Sequence, residues 1–353
     1  MERDAMINLL EGTPLWHRAA IAPSIRWIFA CACALLLAGV GALQAAAEAN
    51  DSPTNFAPTL LLVVGAPGEP EFGSNFVRQV ELWTAIAARA KAAVITIGLR
   101  PVAESNDCDQ LKSALVAAVK DGDEPLWLVL IGHGTFDQHE ARFNLRGPDV
   151  AASQLSEWLA PFRRPLVVIN AASASAPFIN QLSATNRVIL TATRSGSEKN
   201  FARFGQFFAE VLDDAEADLD KDGQISVLEA FLGASAQVAE FYRTEGRLAT
   251  EHALLDDNGD ALGTPADWFR GVRAVKKPQG AAVVDGARAH QFHLVLSSEE
   301  QALPAETRAR RDAIELEIAA LREKKSTYPE AEYYLKLEKL LADLLNAYGT
   351  QLR

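Results

Sequence analysis

Leu126-Trp-Leu-Val-Leu-Ile-Gly-His-Gly134 and Leu166-Val-Val-Ile-Asn-Ala-Ala-Ser-Ala-Ser175 are the two stretches that decide how this chain folds. Each starts as a run of large apolar residues and stops abruptly in small or polar ones. A strand with one buried face alternates apolar and polar residues, whereas a strand buried on both faces reads as a continuous Val, Ile and Leu run. Strands of the second kind belong to parallel sheets covered by helices on both sides. Thr59-Leu-Leu-Leu-Val-Val64, Ala93-Val-Ile-Thr-Ile-Gly98 and Arg187-Val-Ile-Leu-Thr-Ala192 have the same character. Helical spacings separate the runs, at residues 75–91, 109–120 and 152–159. The expected fold is α/β: a doubly wound, mainly parallel sheet with helices on both faces.

In such sheets, function gathers in the loops beyond the carboxyl ends of the strands. The first of these loops, Gly65-Ala-Pro-Gly-Glu-Pro-Glu-Phe-Gly-Ser74, lacks both phosphate-loop patterns and carries glutamates that repel phosphate, which argues against a nucleotide. The third strand runs into Gly132-His133-Gly134 and the fourth into Asn170-Ala171-Ala172-Ser173. This placement resembles the caspase and legumain type of cysteine peptidase over about residues 57–200, where His-Gly follows the third strand and Ala-Cys the fourth. The resemblance implies a caspase-like fold with base and nucleophile facing each other across neighbouring strand ends. Here the nucleophile falls on Ala172, which has no thiol to activate. The resemblance therefore implies a pseudopeptidase in which His133 and Ala172 are vestigial positions. Ser173 is the alternative nucleophile, serving a peptidase or esterase with His133, although its surroundings are not G-x-S-x-G.

Asp218-Leu-Asp-Lys-Asp-Gly-Gln-Ile-Ser-Val-Leu-Glu229 matches the twelve-residue EF-hand calcium loop. Asp218, Asp220 and Asp222 supply carboxylates at positions 1, 3 and 5, Gly223 allows the bend at 6, and Gln224 offers its carbonyl at 7. Ile225 packs at 8, Ser226 stands at 9, and Glu229 closes the loop at 12. Phe204, Phe207, Phe208 and Val211 before the loop and Leu228, Phe231, Leu232 and Val238 after it complete a helix, loop and helix. Asp256-Asp-Asn-Gly-Asp260 fails as a second EF-hand, because counting from Asp256 puts Ala261 at 6 and Gly263 at 8. It reads as a turn, with a looser oxygen site as the alternative. The stretch from Ala217 to Phe231 resembles the EF-like insertions of exported bacterial caspase-like proteins, which implies a structural rather than a signalling calcium.

Charge and length set the surroundings of these motifs. The chain has 353 residues with 34 basic and 46 acidic ones, 34 − 46 = −12, which argues against nucleic acid as a partner. Near the N-terminus, Arg18 and Arg26 precede an uncharged run of 17 residues from Trp27 to Leu43, followed by Gln44-Ala-Ala-Ala47. This has the form of a secretory signal, or of an anchor if left uncleaved. Cys31 and Cys33 lie inside that run, so Cys108 alone remains in a cleaved chain and no internal disulfide is expected.

Beyond strand-like segments at 281–284 and 292–296, residues 304–325 carry Ile314, Ile318 and Leu321 at helical spacing. Thr327 and Glu330 have capping-box spacing, and Tyr334, Leu337, Leu341, Leu344 and Tyr348 form a second stripe, giving a helical hairpin. The expected organisation is a signal or anchor at 1–47, a linker at 48–56, the caspase-like α/β core at 57–200 and the EF-hand insertion at 201–245. Short strands at 246–300 complete the core, and the hairpin occupies 301–353.

The sequence thus points to an exported calcium-binding pseudoenzyme, periplasmic, secreted or anchored by residues 27–43, that acts by binding or scaffolding. An active His133–Ser173 hydrolase and a calcium-responsive interaction module are the alternatives. Calcium is the expected cofactor. A protein or peptide partner is expected at the loops after the third and fourth strands or at the hairpin, and membrane contact only through an uncleaved N-terminal segment.

Overall fold

The unbroken apolar runs form strands β1 (Thr59–Val64), β2 (Ala93–Ile97) and β3 (Leu126–Ile131). After a small antiparallel sheet of β4 (Gly134–Phe136), β5 (Ala141–Phe143) and β6 (Val150–Ala151) come β7 (Leu166–Asn170) and β8 (Arg187–Thr191). In this computed structural model, which describes residues 58–100, 105–281 and 283–349, the main sheet has the order β10-β9-β8-β7-β3-β1-β2. Its last two members are β9 (Leu254–Asp256) and β10 (Thr264–Pro265). β1, β2, β3, β7 and β8 are parallel, β9 runs antiparallel to β8, and β10 antiparallel to β9.

Alternate residues of each strand feed two apolar layers, as a sheet buried on both faces requires. Leu60, Leu62, Trp127, Val129, Val167 and Ile169 join one layer with Phe76 and Trp83 of α1 (Pro70–Arg89). Leu61, Val63, Leu128, Leu130 and Val168 join the other with α2 (Asp107–Ala117), α3 (Ala152–Leu159) and α4 (Pro177–Leu182). Burial of each such side chain is worth roughly 1.5–3 kcal/mol, so the sheet interior dominates stability. β2 departs from the expected cover: as an edge strand it leaves Val94 37% and Ile95 41% exposed.

α5 (Phe204–Leu212) and α6 (Val227–Thr244) flank the acidic loop and lie in the α1 layer, where Phe204, Phe208, Phe231 and Val238 are buried. Residues 201–245 are thus part of the sheet's own cover, and Phe56–Arg353 forms one compact unit. Residues 283–284 and 292–296 form no strand. His293 makes only an isolated bridge to Ser226, and the Phe292 carbonyl accepts the Val227 amide, so this segment braces the acidic loop.

After α7 (Ser298–Ala302), the hairpin consists of α8 (Ala305–Glu323) and α9 (Glu330–Gly349). Its packed stripe is shifted from the expected one. Tyr333, Leu337, Leu340, Leu344 and Ala347 face Ile314 and Ile318 or are buried, while Tyr334 and Leu341 are each 48% exposed. Both sets have helical spacing, and the width of the apolar face left the phase open. The expected capping box does not form either, because Thr327 sits in a preceding turn and donates its hydroxyl to the Lys324 carbonyl. Among the described residues no helix is long and apolar enough to cross a membrane, and the run from Trp27 to Leu43 lies outside them.

Candidate functional site

Parallel registry places the loops after β1, β3, β7 and β8 at one edge of the sheet: Val64 is level with Ile131, Leu130 with Asn170, and Asn170 with Thr191. His133 and the elbow at 171–176 therefore emerge side by side, as expected. His133 sits among Phe72, Phe76 and Phe201, with ring centroids 4.9, 5.5 and 5.9 Å away. Its Nε2 lies 3.2 Å from the Pro67 carbonyl oxygen. A carbonyl only accepts, so Nε2 carries the proton in this contact.

The elbow is held by short-range packing and by its own backbone. Ala172 is buried in the α2 layer and its amide donates to Asn170 Oδ1, while Asn170 Nδ2 is buried without a hydrogen-bond partner among the described residues. Ser173 Oγ accepts the Gly134 amide and donates to the Gly134 carbonyl, both at 3.2 Å. Its hydroxyl is thereby turned toward the glycine after His133 rather than toward the imidazole. A Cβ on Gly134 would collide with the Ser173 carbonyl oxygen, and one on Gly205 would collide with Ala171, so small residues on both sides permit this close approach. Ser175 and Thr193 hydroxyls bond each other, and Ala174 adopts φ 52°, a left-handed conformation unusual for alanine. Cys108 is buried on α2, and burial pushes its thiol pKa up, away from reactivity.

The acidic loop brings together three of its five expected ligand residues. One carboxylate oxygen from each of Asp218, Asp220 and Asp222 lies within 4.8 Å of the others. Lys221 and Gly223 adopt φ 65° and 84°, and their amides donate to Asp218, so the bend expected at Gly223 is present. Burial raises the Asp218 pKa, but those amides outweigh it and hold the carboxyl below its ordinary value. Glu229 caps α6: its Oε2 accepts from the Ser226 amide and hydroxyl, and its Oε1 reaches the Leu219 amide at 2.7 Å. The Ser226–Glu229 pair is a capping box, so loop positions 9 and 12 also start the helix. The Gln224 side chain donates to Asp222 Oδ2 and accepts the Ser297 amide.

No family model matches this chain, and no curated protein matches it. Among solved structures it is similar to the Drosophila initiator caspase Dronc, at 14% identity and TM-score 0.41, over 58% of this chain and 81% of that one. It is also similar to caspase-1 from Spodoptera frugiperda, at 10% identity and TM-score 0.35, over 57% and 85% of the two chains. A protein of Geobacter sulfurreducens follows at 14% identity and TM-score 0.35, over 51% and 89%.

Two groups near these sites had no signal in the sequence. His252 Nδ1 lies 2.6 Å from Glu198 Oε1, and the Glu198 carbonyl accepts the Ala174 amide, which ties this pair to the elbow. His290 Nε2 lies 2.8 Å from Asp220 Oδ2, and His293 Nε2 lies 3.8 Å from Asp222 Oδ2. These partners are 54 or more positions apart, beyond any local spacing rule.

Proposed function

We propose that this chain is an exported, calcium-binding, caspase-like pseudoenzyme that acts as a binding or scaffolding protein. One observation carries the reading: the elbow residue that aligns with the nucleophile is Ala172, whose methyl is buried in the α2 layer on the other side of the sheet from the phenylalanines around His133, and the hydroxyl that follows it, Ser173, is bonded twice to the Gly134 backbone. Acyl transfer needs a nucleophile activated by a base, and neither residue offers one. What remains at the strand ends is His133 against three phenylalanines beside a tightly packed elbow of small residues.

The acidic loop supports calcium by its donor set. Clustered carboxylate oxygens at positions 1, 3 and 5 suit a hard cation, and a divalent ion would relieve their mutual repulsion. Asp218, Asp220, Asp222, the Gln224 carbonyl and Glu229 would hold it, with Glu229 leaving its amide partners to bind. Because α5 and α6 cover the sheet, the ion acts by stiffening the core rather than by opening a groove.

An ion that binds only the folded state stabilises it by about 2.7 kcal/mol at a hundredfold excess over Kd. Chelation should lower the melting temperature of the wild type by more than that of Glu229→Ala; equal shifts in both proteins would overturn the assignment. Cell fractionation should find the native protein outside the cytoplasm, and a full-length cytoplasmic product would refute export.

A further inference from the structure

The loop from Asp256 to Leu262 repeats the backbone of the loop that begins at Asp218. In the first loop the amides of Lys221, Asp222 and Gln224 donate to Oδ1 of Asp218, Asp220 and Asp222. In the second, the amides of Gly259, Asp260 and Leu262 donate to Oδ1 of Asp256, Asn258 and Asp260, at 3.1, 2.9 and 2.9 Å. Counted from the first aspartate, both loops bond position 4 to 1, 5 to 3 and 7 to 5. Both also take positive φ at positions 4 and 6: Lys221 and Gly223 at 65° and 84°, Gly259 and Ala261 at 81° and 63°. The motif escapes a sequence scan because position 6 is alanine and the chain leaves into β10 instead of a helix.

Shared loop geometry does not by itself make a site, and the deciding observation lies in the oxygens. In the first loop Asp218 Oδ2 accepts the position-6 amide of Gly223. In the second, the Ala261 amide donates instead to Ser183 Oγ on the neighbouring segment, at 3.0 Å, which releases Asp256 Oδ2. Asp256 is 1% exposed, and although the Ser183 hydroxyl interacts with its carboxyl, among the described residues its Oδ2 has no well-formed hydrogen bond. Asp260 Oδ2 is likewise buried and without a partner. Two buried carboxylate oxygens without a well-formed hydrogen bond among the described residues are costly in a protein interior and suit a hard cation.

We propose that residues 256–262 form a second divalent-cation site of the calcium class, in which Asp256 Oδ2 and Asp260 Oδ2 bind the ion and Asn258 Oδ1 and the Leu262 carbonyl supply neutral oxygens. The site does not depend on occupancy of the 218–229 loop. Anchored between β9 and β10, an ion there would lock the antiparallel end of the main sheet.

The test is the number of calcium ions bound by chelator-stripped full-length protein, titrated calorimetrically with calcium chloride. Two ions are expected for the wild type and one each for Asp260→Asn and Glu229→Gln. One ion that is lost in Asp260→Asn and kept in Glu229→Gln upholds this site and removes the first. A stoichiometry that Asp260→Asn leaves unchanged overturns the proposal, whatever happens at the first loop. Should Asp260→Asn fail to fold, hydrogen exchange in Glu229→Gln decides: calcium should slow the amides of residues 259–262, and unchanged exchange overturns the proposal.

Discussion

The strand-end elbow and the acidic loops are both compact turns at strand or helix ends, yet they close their polar groups in opposite ways. At the elbow the Ser173 hydroxyl is taken by the Gly134 backbone and Ser175 by Thr193, while the Ala172 methyl packs into the α2 layer. In the acidic loops the backbone amides use both oxygens of Asp218 but only Oδ1 of Asp256 and Asp260, and further oxygens are left crowded or, among the described residues, without a partner. A turn whose donors and acceptors are matched internally has little left for chemistry. One with surplus acceptors invites a cation.

The largest expected effect sharpens the acidic side. Asp285 lies beside Asp257, and burial, followed by the Asp257 charge, raises its pKa to about 8. Burial raises Asp257 as well, but it accepts the amides of Gly286, Arg288 and Ala289 while Asp285 accepts the Asp257 amide and the Thr264 hydroxyl, so Asp285 is the readier of the pair to hold a proton. The folded state therefore holds a proton that the unfolded chain releases near pH 4. In chelator, stability should fall as pH rises from there toward about 8, where the folded protein in turn loses that proton. Thermal melts of Asp285→Asn, which cannot ionise, should show a flatter pH profile, and an unchanged slope would place the proton elsewhere.

Two smaller effects probe the elbow. Gly134→Ala forces a Cβ into the Ser173 carbonyl oxygen and should cost about 3 kcal/mol by denaturant unfolding, since the obstacle is backbone. A neutral result would mean that the two strand ends are not in contact. Ser173→Ala removes a partner from the Gly134 amide and carbonyl and should cost about 1 kcal/mol, leaving ester and peptide hydrolysis at background in both proteins. Hydrolysis present in the wild type and lost in this variant would make Ser173 a nucleophile and break the contrast.

What could be read from the sequence was whatever depends on near neighbours along the chain. β1, β3 and α3 begin and end where the apolar patterns do, because unbroken Val, Ile and Leu runs have no other way to be buried. The acidic loop from Asp218 to Glu229 was legible because its chemistry is packed into twelve consecutive residues. The phase of α9 was not, since Tyr333 and Tyr334 both belong to plausible stripes and contact with α8 selects one. Nor were the strand-like runs after Ala281, where apolar content alone could not distinguish a strand from a brace against the loop.

The sequence by itself determined the parallel sheet, the adjacent strand ends at His133 and Ala172, and the absence of a cysteine there. Tertiary structure alone decided where the Ser173 hydroxyl points, that Ser183 takes the Ala261 amide from Asp256, and that Asp257 and Asp285 are buried side by side. Those outcomes depend on groups as far as 78 positions apart, whose meeting is fixed by the packing of the sheet and its helices and leaves no periodic trace along the chain.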